Sequence, residues 1–361
     1  MNKEMTINPE VIIAGRKIGA SHEPYIICEL SGNHNGKLDR ALELVDAAAD
    51  TGCDAIKLQT YTADTLTIRS NRPDFRISSG LWAGRTLYDL YSDAHTPFEW
   101  HVALFERAAK RGVTIFSTPF DPSAVDFLCE LGAPAFKIAS FEITDLPLIS
   151  YVAQKGKPII MSTGLACLGE IEAAVRTAKE NGCHELILLH CISAYPAPSN
   201  QSNLRTLPHL AQSFGVVSGL SDHTHGTATS VASVALGGSV IEKHFTLARS
   251  DGGPDANFSL EPDEFRRLVE DCRNAWLSLG NVDYNTKQSE ADNKIFRRSI
   301  YAIKDIAKGE VFTHENIRSI RPGFGLPPET LPNLLGKTAT RDIQFAERMD
   351  WSMVNNQKKK K

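Results

Sequence analysis

The feature that most constrains the fold of this 361-residue chain is a regular alternation of short apolar segments with longer amphipathic ones. The apolar segments show no polar alternation, which is typical of strands buried on both faces of a parallel sheet. They are residues 25–30, 55–58, 113–116, 135–139, 158–161, 185–190, 216–220 and 239–244. A segment with helical spacing follows each one, for example residues 38–51. Eight β–α units predict a (β/α)8 barrel, which typically takes about 250 residues.

A doubly wound sheet is the alternative architecture for alternating strands and helices. The first apolar segment is not followed by a Gly-x-Gly-x-x-Gly turn, and that alternative therefore lacks its usual signature. Residues 11–18 are expected to form a short hairpin that closes the bottom of the barrel. The catalytic barrel domain is therefore predicted to occupy residues 1–280, hairpin included.

The alternation stops near Gly280, and the rest of the chain has a different character. Residues 281–297 are mostly polar and are interpreted as a linker. Residues 298–355 combine a strand-like segment with many Gly and Pro residues, which indicates a small β-rich domain. Residues 356–361 end in four consecutive lysines and are expected to be a disordered tail.

Composition excludes several functional classes. The net charge is −4, and no basic excess points to nucleic acid or to an anionic membrane surface. No run of 18 apolar residues predicts a membrane-spanning helix, and the amino terminus lacks the apolar core of a signal peptide. The seven cysteines show no Cys-x-x-Cys spacing, which favours reduced thiols and a cytoplasmic location.

Two lysines lie inside apolar segments, at the strand ends where barrel enzymes carry their active sites. Lys57 and Lys137 each need an anion, because burying an unpaired ammonium is costly. One interpretation is a phosphate or carboxylate ligand, which the Ser and Thr residues at neighbouring strand ends would also bind. The alternative is that each lysine reaches the rim of the barrel or pairs with a local carboxylate.

Two histidines end consecutive strands. His223 and His244 are expected to lie close enough to share one cation, with Asp222 and Glu242 beside them. Neutral imidazoles suit Mn²⁺, Fe²⁺, Co²⁺ or Zn²⁺ and leave coordination positions open for substrate and water. His34, on the first βα loop, is either a substrate contact or a polar turn residue.

Acidic residues complete the strand ends. Glu29 is a candidate general acid or base, or a clamp for a hydroxyl group. Asp255 follows the last strand and is expected to hold a polyhydroxylated substrate, with a simple turn aspartate as the alternative. Cys191 stands beside His190, but no set of acyl-transfer residues accompanies the pair.

Taken together, these strand-end motifs resemble the sialic acid synthase family, which condenses phosphoenolpyruvate with an N-acetylated sugar aldehyde. They are ELSGNHNG (29–36), IKLQT (56–60), FKIAS (136–140), STG (162–164), GLSDHT (219–224) and EKHFT (242–246). The segment RSIRPG (318–323) resembles the antifreeze-like (SAF) domain of that family. Further strings are most similar to the pseudaminic acid synthase branch: LYDLY (87–91), AHTP (94–97), STPFD (117–121), FEITDLP (141–147) and FSLEP (258–262).

The resemblance implies a (β/α)8 barrel followed by an SAF domain, and a cytoplasmic transferase that forms a C–C bond. It implies phosphoenolpyruvate contacts at Lys57, Thr118, Lys137, Ser140, Ser162 and Ser221. Metal ligands are implied at His223 and His244, and sugar contacts at Glu29, Gln59, Tyr195, Glu242, Asp255 and Arg321. Of these, Glu29, Lys57, Lys137, His223 and His244 would be catalytic. The expected ion is Mn²⁺, with Mg²⁺ or Co²⁺ as alternatives, and Arg321 would reach the partner's barrel in a domain-swapped homodimer.

The implied reaction joins phosphoenolpyruvate to a 2,4-diacetamido-2,4,6-trideoxy-altrose and yields pseudaminic acid and phosphate. The nearest alternative is an N-acetylneuraminic or legionaminic acid synthase that uses a sugar of the N-acetylmannosamine type. A Schiff-base aldolase is a further alternative, since a lysine at a strand end is typical of that class. A non-catalytic sugar- or ice-binding module is the alternative outside the enzymes.

Overall fold

The computed structural model of the chain describes residues 9–355. It divides into two compact units, the first ending at Gly280 and the second beginning at Asn281. The predicted tail, residues 356–361, lies outside the described residues. Across residues 9–355, every helix is too short or too polar to span a bilayer.

The first unit begins with an antiparallel hairpin of β1 (Val11–Ile13) and β2 (Arg16–Ile18). Eight parallel strands then close into a barrel, confirming the predicted fold. They are β3 (Tyr25–Glu29), β4 (Ala55–Thr60), β5 (Thr114–Pro119), β6 (Phe136–Ile138), β7 (Ile159–Ser162), β8 (Leu186–Cys191), β9 (Val217–Asp222) and β10 (Val240–His244). Closure comes from the pairing of β10 with β3, which aligns His244 with Glu29.

Helices fill the connections between strands and surround the barrel. They are α1 (Leu38–Asp50), α2 (Ala63–Leu66), α3 (Leu87–Ala94), α4 (His101–Arg111), α5 (Pro122–Glu130), α6 (Leu146–Ala153), α7 (Leu168–Glu180), α8 (Thr206–Phe214), α9 (Ala228–Ala235) and α10 (Pro262–Leu279). Local sequence sets several of their ends. Asp121 accepts hydrogen bonds from the first backbone amides of α5, and Gly112 ends α4 in the left-handed conformation.

Alternate residues of each strand face the inside of the barrel and the helices outside. On β4, Ala55 packs inside with the hairpin residues Val11 and Ile13, while Ile56 packs outside against the helices. Apolar side chains therefore fill the bottom of the barrel. This leaves the carboxyl ends of the strands as the place where polar residues can face inward.

The connection from β4 to β5 contains more secondary structure than the sequence predicted. One helical segment was expected after each strand, but here α2 and α3 precede α4. Between those two helices lies a short hairpin, in which the Ile77 amide donates to the Arg85 carbonyl and the Gly84 amide to the Ile77 carbonyl. The spacing of apolar residues did not predict this segment, because the segment is mostly polar and irregular.

The second unit has its own small core. Strands β11 (Ser299–Ala302) and β12 (Ile317–Ile320) pair in antiparallel fashion, and a short helix α11 spans Leu331–Leu334. Ile300, Phe312 and Met349 are among the buried residues. Residues 281–297, predicted as a linker, contain an exposed 3-10 helix at Gln288–Phe296.

Candidate active site

A cluster of buried lysines and glutamates lies inside the barrel near the carboxyl ends of the strands. Glu242 Oε1 accepts hydrogen bonds from Lys57 Nζ at 2.8 Å and from Lys137 Nζ at 3.4 Å. Lys57 Nζ also lies 3.3 Å from Glu29 Oε2. Since β4, β6 and β10 contribute these groups from different sides of the barrel, their meeting shows that they face its centre.

These contacts bear on how the lysines are paired. The local carboxylate that the sequence left as an alternative is present for both lysines, and it is Glu242. Two ammonium groups nevertheless share that carboxylate, with Glu29 beside Lys57, and Ser221 Oγ also donates to it at 3.2 Å. Glu242 therefore contacts the lysines themselves, which places it between the predicted sugar and phosphoenolpyruvate sites.

The pKa values of the two lysines are shifted in opposite directions. Burial opposes the charge of Lys57, but the carboxylates of Glu242 and Glu29 outweigh it and raise the pKa of Lys57. For Lys137 burial prevails and lowers the pKa to about 8, with Glu242 opposing. Burial also raises the pKa of Glu29, against the effect of Lys57. Glu29 is thus closer to a neutral acid than an exposed glutamate.

Several polar atoms around this cluster are buried without a hydrogen-bond partner among residues 9–355. They are Glu29 Oε2, Thr118 Oγ1, Glu142 Oε2, Ser162 Oγ, Glu242 Oε2 and His244 Nδ1. Buried polar atoms are normally paired, so a concentration of unpaired ones around one cluster indicates ligand-facing groups. Four of the residues predicted to contact phosphoenolpyruvate, Lys57, Thr118, Lys137 and Ser162, face inward at this level.

Gly164 opens the site on the side of β7. A Cβ at this position would lie 2.2 Å from Ser193 Oγ and 2.7 Å from Ser140 Oγ, and hence any side chain would displace both hydroxyls. The amide of Gly164 donates to Ser140 Oγ at 3.0 Å. The motif STG (162–164) therefore supplies the Ser162 hydroxyl and, at Gly164, a close backbone approach, an arrangement suited to an anion.

The predicted histidine pair is assembled at the same end of the barrel. The rings of His223 and His244 lie with centres 5.3 Å apart. Two imidazoles bound to one ion at about 2.0–2.1 Å have ring centres about 5 Å apart, and thus the pair fits a shared cation. The Nδ1–H of His223 donates to the Ile192 carbonyl at 2.9 Å, leaving Nε2 as the basic nitrogen.

The surroundings of the pair limit how an ion would be bound. Asp255 Oδ2 lies 3.6 Å from His244 Nδ1 and accepts a hydrogen bond from Ser31. Within the described residues, no group of three or more His, Cys, Asp and Glu side chains is arranged to hold a metal ion. A divalent ion here would therefore take two protein ligands, with its other positions left to water or substrate.

The remaining predicted sugar contacts occupy different places. Gln59 Nε2 donates to Glu29 Oε1 at 2.8 Å, and the Tyr195 ring lies 4.4 Å from that of His223. Arg321 belongs to the second unit, where its guanidinium lies 5.9 Å from the centre of the Phe296 ring. The predicted site residues of the barrel therefore lie together at the carboxyl ends of its strands. Arg321 belongs to the second unit.

One sequence interpretation was wrong, and two further histidines lie outside the site. Asp222 does not face the histidine pair: its carboxylate accepts from Lys243 Nζ, Ser230 Oγ and the Thr224 amide on the outer side of the strand. The His190 side chain points outward, with its Nε2 2.6 Å from the Ser202 carbonyl, and therefore forms no catalytic pair with Cys191. His34 packs edge-on against Trp100 and accepts from the Gly36 amide, and it is therefore a turn residue.

The sequence analysis did not assign two further residues to the site. Cys191 faces inward, with its Sγ 3.8 Å from His223 Nδ1. Glu142 follows β6 on a 3-10 helix, and burial raises its pKa to about 7 with Lys137 opposing. The alternation of inward and outward residues along β8 would have identified Cys191. For Glu142 there was no comparable signal, because it lies on a loop.

The chain matches known proteins along most of its length. Residues 44–284 match the NeuB family and residues 297–354 match the SAF domain. A pseudaminic acid synthase of Campylobacter jejuni subsp. jejuni (strain 81-176) is 45% identical over 325 residues, which cover 90% of this chain and 95% of that protein. An N,N'-diacetyllegionaminic acid synthase of Campylobacter jejuni subsp. jejuni (strain NCTC 11168) is 39% identical, covering 89% of this chain and 97% of that protein.

A solved structure gives the same result at the level of the fold. It is an N-acetylneuraminic acid synthetase from Leptospira borgpetersenii in complex with citrate, 32% identical to this chain with a TM-score of 0.71. The match covers 79% of this chain and 95% of that one.

Proposed function

Because this chain belongs to the NeuB family of sialic acid synthases, in the pseudaminic acid synthase branch, we propose that it condenses phosphoenolpyruvate with a 2,4-diacetamido-2,4,6-trideoxy-altrose. The products would be pseudaminic acid and inorganic phosphate. The observation that supports this most is the position of a buried two-lysine cluster opposite the His223–His244 pair at one end of the barrel. The first feature suits a phosphorylated carboxylate and the second an aldehyde.

The lysine side of the site would hold phosphoenolpyruvate. Lys57 and Lys137 provide charge for its phosphate and carboxylate groups, and Thr118 and Ser162 provide hydroxyls that lack partners among residues 9–355. When phosphoenolpyruvate binds, it would compete with Glu242 for both lysines. Holding the two substrates in this orientation contributes on the order of 7–11 kcal/mol to a bimolecular reaction.

The histidine side would hold a divalent cation, for which Mn²⁺ is proposed, with Mg²⁺ or Co²⁺ as alternatives. When bound, such an ion polarises an aldehyde carbonyl and makes its carbon more electrophilic. Asp255, next to His244, would accept hydrogen bonds from sugar hydroxyls. Gln59 and Tyr195 would contact the same sugar from the two sides of the site.

The bond changes follow from the two substrates. C3 of phosphoenolpyruvate forms a bond to the aldehyde carbon while the C=O π bond breaks and the aldehyde oxygen takes up a proton from solvent, and C2 becomes a cation stabilised by its oxygen substituents. Water adds to C2 and loses its proton to Glu29. Phosphate then leaves with cleavage of the C–O bond, giving a nine-carbon 2-keto acid. The buried position of Glu29 beside Lys57 fits a group that exchanges a proton during turnover.

The Arg321 side chain is proposed to complete the sugar site of a partner subunit in a domain-swapped homodimer. It is exposed on the second unit and follows β12 directly. This assignment rests on the family pattern at residues 318–323.

Phosphate release tests the proposal. The protein is mixed with phosphoenolpyruvate, Mn²⁺ and one sugar at a time: the diacetamido-trideoxy-altrose, its mannose-configured counterpart and N-acetylmannosamine. We expect the first to give the highest kcat/KM and a nine-carbon keto acid by mass spectrometry. A preference for either mannose-type sugar would instead favour the legionaminic or neuraminic acid reaction, which the 39% identical relative makes the second candidate. Inactivation by borohydride in the presence of substrate would favour a Schiff-base aldolase.

A further inference from the structure

The hairpin at residues 77–85, between α2 and α3, brings a tryptophan to the mouth of the barrel. Trp82 Nε1 donates a hydrogen bond to the Pro254 carbonyl at 2.9 Å. Its ring centre lies 5.7 Å from that of Tyr195, which in turn lies 4.4 Å from His223. Trp82, in the long connection between β4 and β5, therefore packs near Tyr195, the ring that itself packs near His223.

The segment that receives Trp82 is held in place from the other side. A Cβ at Gly32 would lie 2.7 Å from Pro254 Cγ, and only glycine allows this contact with the first βα loop. Asn35 Nδ2 donates to the carbonyls of Asp251 and Gly252, each at 3.3 Å. Trp82 therefore rests on the same fixed segment that presents Asp255 to His244.

Three aromatic rings form a continuous surface along one side of the site, the aromatic wall of Trp82, Tyr195 and Phe258. The Tyr195 and Phe258 ring centres are 5.4 Å apart, and Phe258 lies 4.9 Å from His244. Lys57 and Glu242 supply charged groups to the same site. The site therefore combines a charged part with an aromatic part.

We propose that the aromatic wall binds the apolar substituents of the sugar and that Trp82 is a specificity-determining residue. This inference rests on the proposed function. A 2,4-diacetamido-2,4,6-trideoxy sugar carries three methyl groups, two on its acetamido substituents and one at C6. Aromatic faces stabilise such groups by burial, whereas phosphoenolpyruvate is a compact anion that gains nothing from them. The wall should therefore discriminate between sugars and leave phosphoenolpyruvate binding unaffected.

A cavity adjoins the hairpin at Trp82. Trp82 also lines a cavity of about 610 Å³ together with Asn35, Arg85, Asp93 and Pro254. This volume lies in the range of small-molecule sites. The indole consequently separates the Tyr195 side of the site from an open cavity, and truncating it would merge the two spaces.

The test compares Trp82→Ala and Trp82→Phe with the unmodified protein, and Ser79→Ala serves as the control on the same hairpin. Ser79 is exposed and does not line the cavity beside Trp82. For Trp82→Ala we expect kcat/KM for the diacetamido-trideoxy sugar to fall at least tenfold relative to that for N-acetylmannosamine. The KM for phosphoenolpyruvate should change less than twofold, and Trp82→Phe should restore most of the discrimination. An unchanged ratio between the two sugars, or an equal rise in both substrates' KM, would overturn the assignment.

A binding measurement separates this inference from the proposed reaction. Saturation-transfer difference NMR of the diacetamido-trideoxy sugar should show its strongest signals at the methyl groups, and these should weaken in Trp82→Ala. Equal saturation of methyl and ring protons would contradict the aromatic wall even if the enzyme turns over. Absence of turnover with phosphoenolpyruvate, in contrast, would contradict only the proposed function.

Discussion

Lys243 Nζ lies 2.9 Å from Asp222 Oδ2, in an ion pair buried behind the strands that lead to His244 and His223. Lys243 Nζ also donates to the Thr224 carbonyl at 2.6 Å, while the Asp222 carboxylate accepts from the Thr224 amide. The pair therefore fixes the turn that carries His223. Each member directly precedes one of the two histidines in the chain, and the pair thus acts on the site without facing it.

Replacing Lys243 with methionine should weaken both the fold and cation binding. The change leaves the Asp222 carboxylate buried without its counter-ion, which typically costs about 3–5 kcal/mol of unfolding free energy. It also releases the turn at Thr224, and we expect the affinity for Mn²⁺ to fall roughly tenfold. Urea unfolding and electron paramagnetic resonance of free Mn²⁺ measure the two effects.

A surface lysine provides the matched control. Lys304 Nζ lies 3.7 Å from Glu315 Oε2 in an exposed pair of the second unit, and such pairs contribute about 0–1 kcal/mol. Lys304→Met should therefore unfold and bind Mn²⁺ like the unmodified protein. If Lys243→Met behaved in the same way as Lys304→Met, the buried pair would have no positioning role.

The affinity for phosphoenolpyruvate should decline at alkaline pH because of Lys137. Burial lowers the pKa of this lysine to about 8, so that its charge is present below that pH and is lost above it. Lys57, whose pKa is raised by Glu242 and Glu29, keeps its charge throughout. Isothermal titration of phosphoenolpyruvate should give a constant affinity from pH 6.5 to 7.5 and a fall approaching tenfold per pH unit above 8.

Lys137→Arg isolates this effect, because a guanidinium does not lose its proton in this range. We expect a flat affinity profile up to pH 9.5, whatever the absolute affinity. An alkaline decline of the same steepness in both proteins would assign the titration to another group.

The sequence predicted the barrel because burial on both faces leaves a readable pattern in single strands. It also located most site residues, since a lysine such as Lys57 in an otherwise apolar strand is conspicuous. What it lacked was the inward or outward direction of each strand-end residue. Asp222 was expected beside the histidine pair, although the strand period of two places it on the outer face, where it contacts Ser230 and Lys243.

Pairing over long distances was beyond the sequence. Lys57 and Glu242 are 185 residues apart and meet only because β10 closes the barrel against β3, which pairs with β4. A pattern within one strand indicates that Lys57 needs an anion but not which carboxylate supplies it. Trp82 was missed for a similar reason: its hairpin has neither helical nor strand periodicity, and its role comes from contact with Pro254 and Tyr195.

Glu142→Gln should stabilise the protein while slowing the reaction. Burial raises the pKa of Glu142 from 4.5 to about 7, and its Oε2 has no hydrogen-bond partner among residues 9–355. Between pH 4.5 and about 7, the Glu142 carboxyl is ionised in the unfolded chain but keeps its proton in the folded one. The free energy of unfolding therefore decreases as the pH rises through this window. Above pH 7 the full penalty, about 3 kcal/mol, is present and the substitution removes it.

Urea unfolding at two pH values checks whether the substitution stabilises the protein. The gain from Glu142→Gln should be under about 1 kcal/mol at pH 5 and should approach its full size at pH 8. Phosphate release should fall at least tenfold, because an unpaired buried carboxylate next to Lys137 is placed to meet substrate. A variant that is equally active, or destabilised at pH 8, would contradict the interpretation.

His223→Ala should abolish cation binding and activity together, since the remaining imidazole of His244 would hold an ion alone. Chelation of the unmodified protein should have the same effect on activity, and added Mn²⁺ should reverse it. His225→Ala is the matched control, because His225 lies two residues away and is exposed. Full activity of His223→Ala after exhaustive chelation would refute the metal assignment.

Mixing two impaired proteins tests whether Arg321 serves a partner's site. Arg321→Ala alone should raise the KM for the sugar with little effect on stability, since the side chain is exposed and its guanidinium lies over the Phe296 ring. His223→Ala has an intact Arg321 but no functional barrel site, whereas Arg321→Ala has the reverse. In a swapped heterodimer, one of the two sites combines an intact barrel with an intact arginine. The two variants are mixed in equal amounts and exchange subunits without being unfolded. The low KM for the sugar should then return in a fraction of sites. Under random pairing, a quarter of all sites are complete. If each barrel used the Arg321 of its own chain, exchange would restore nothing.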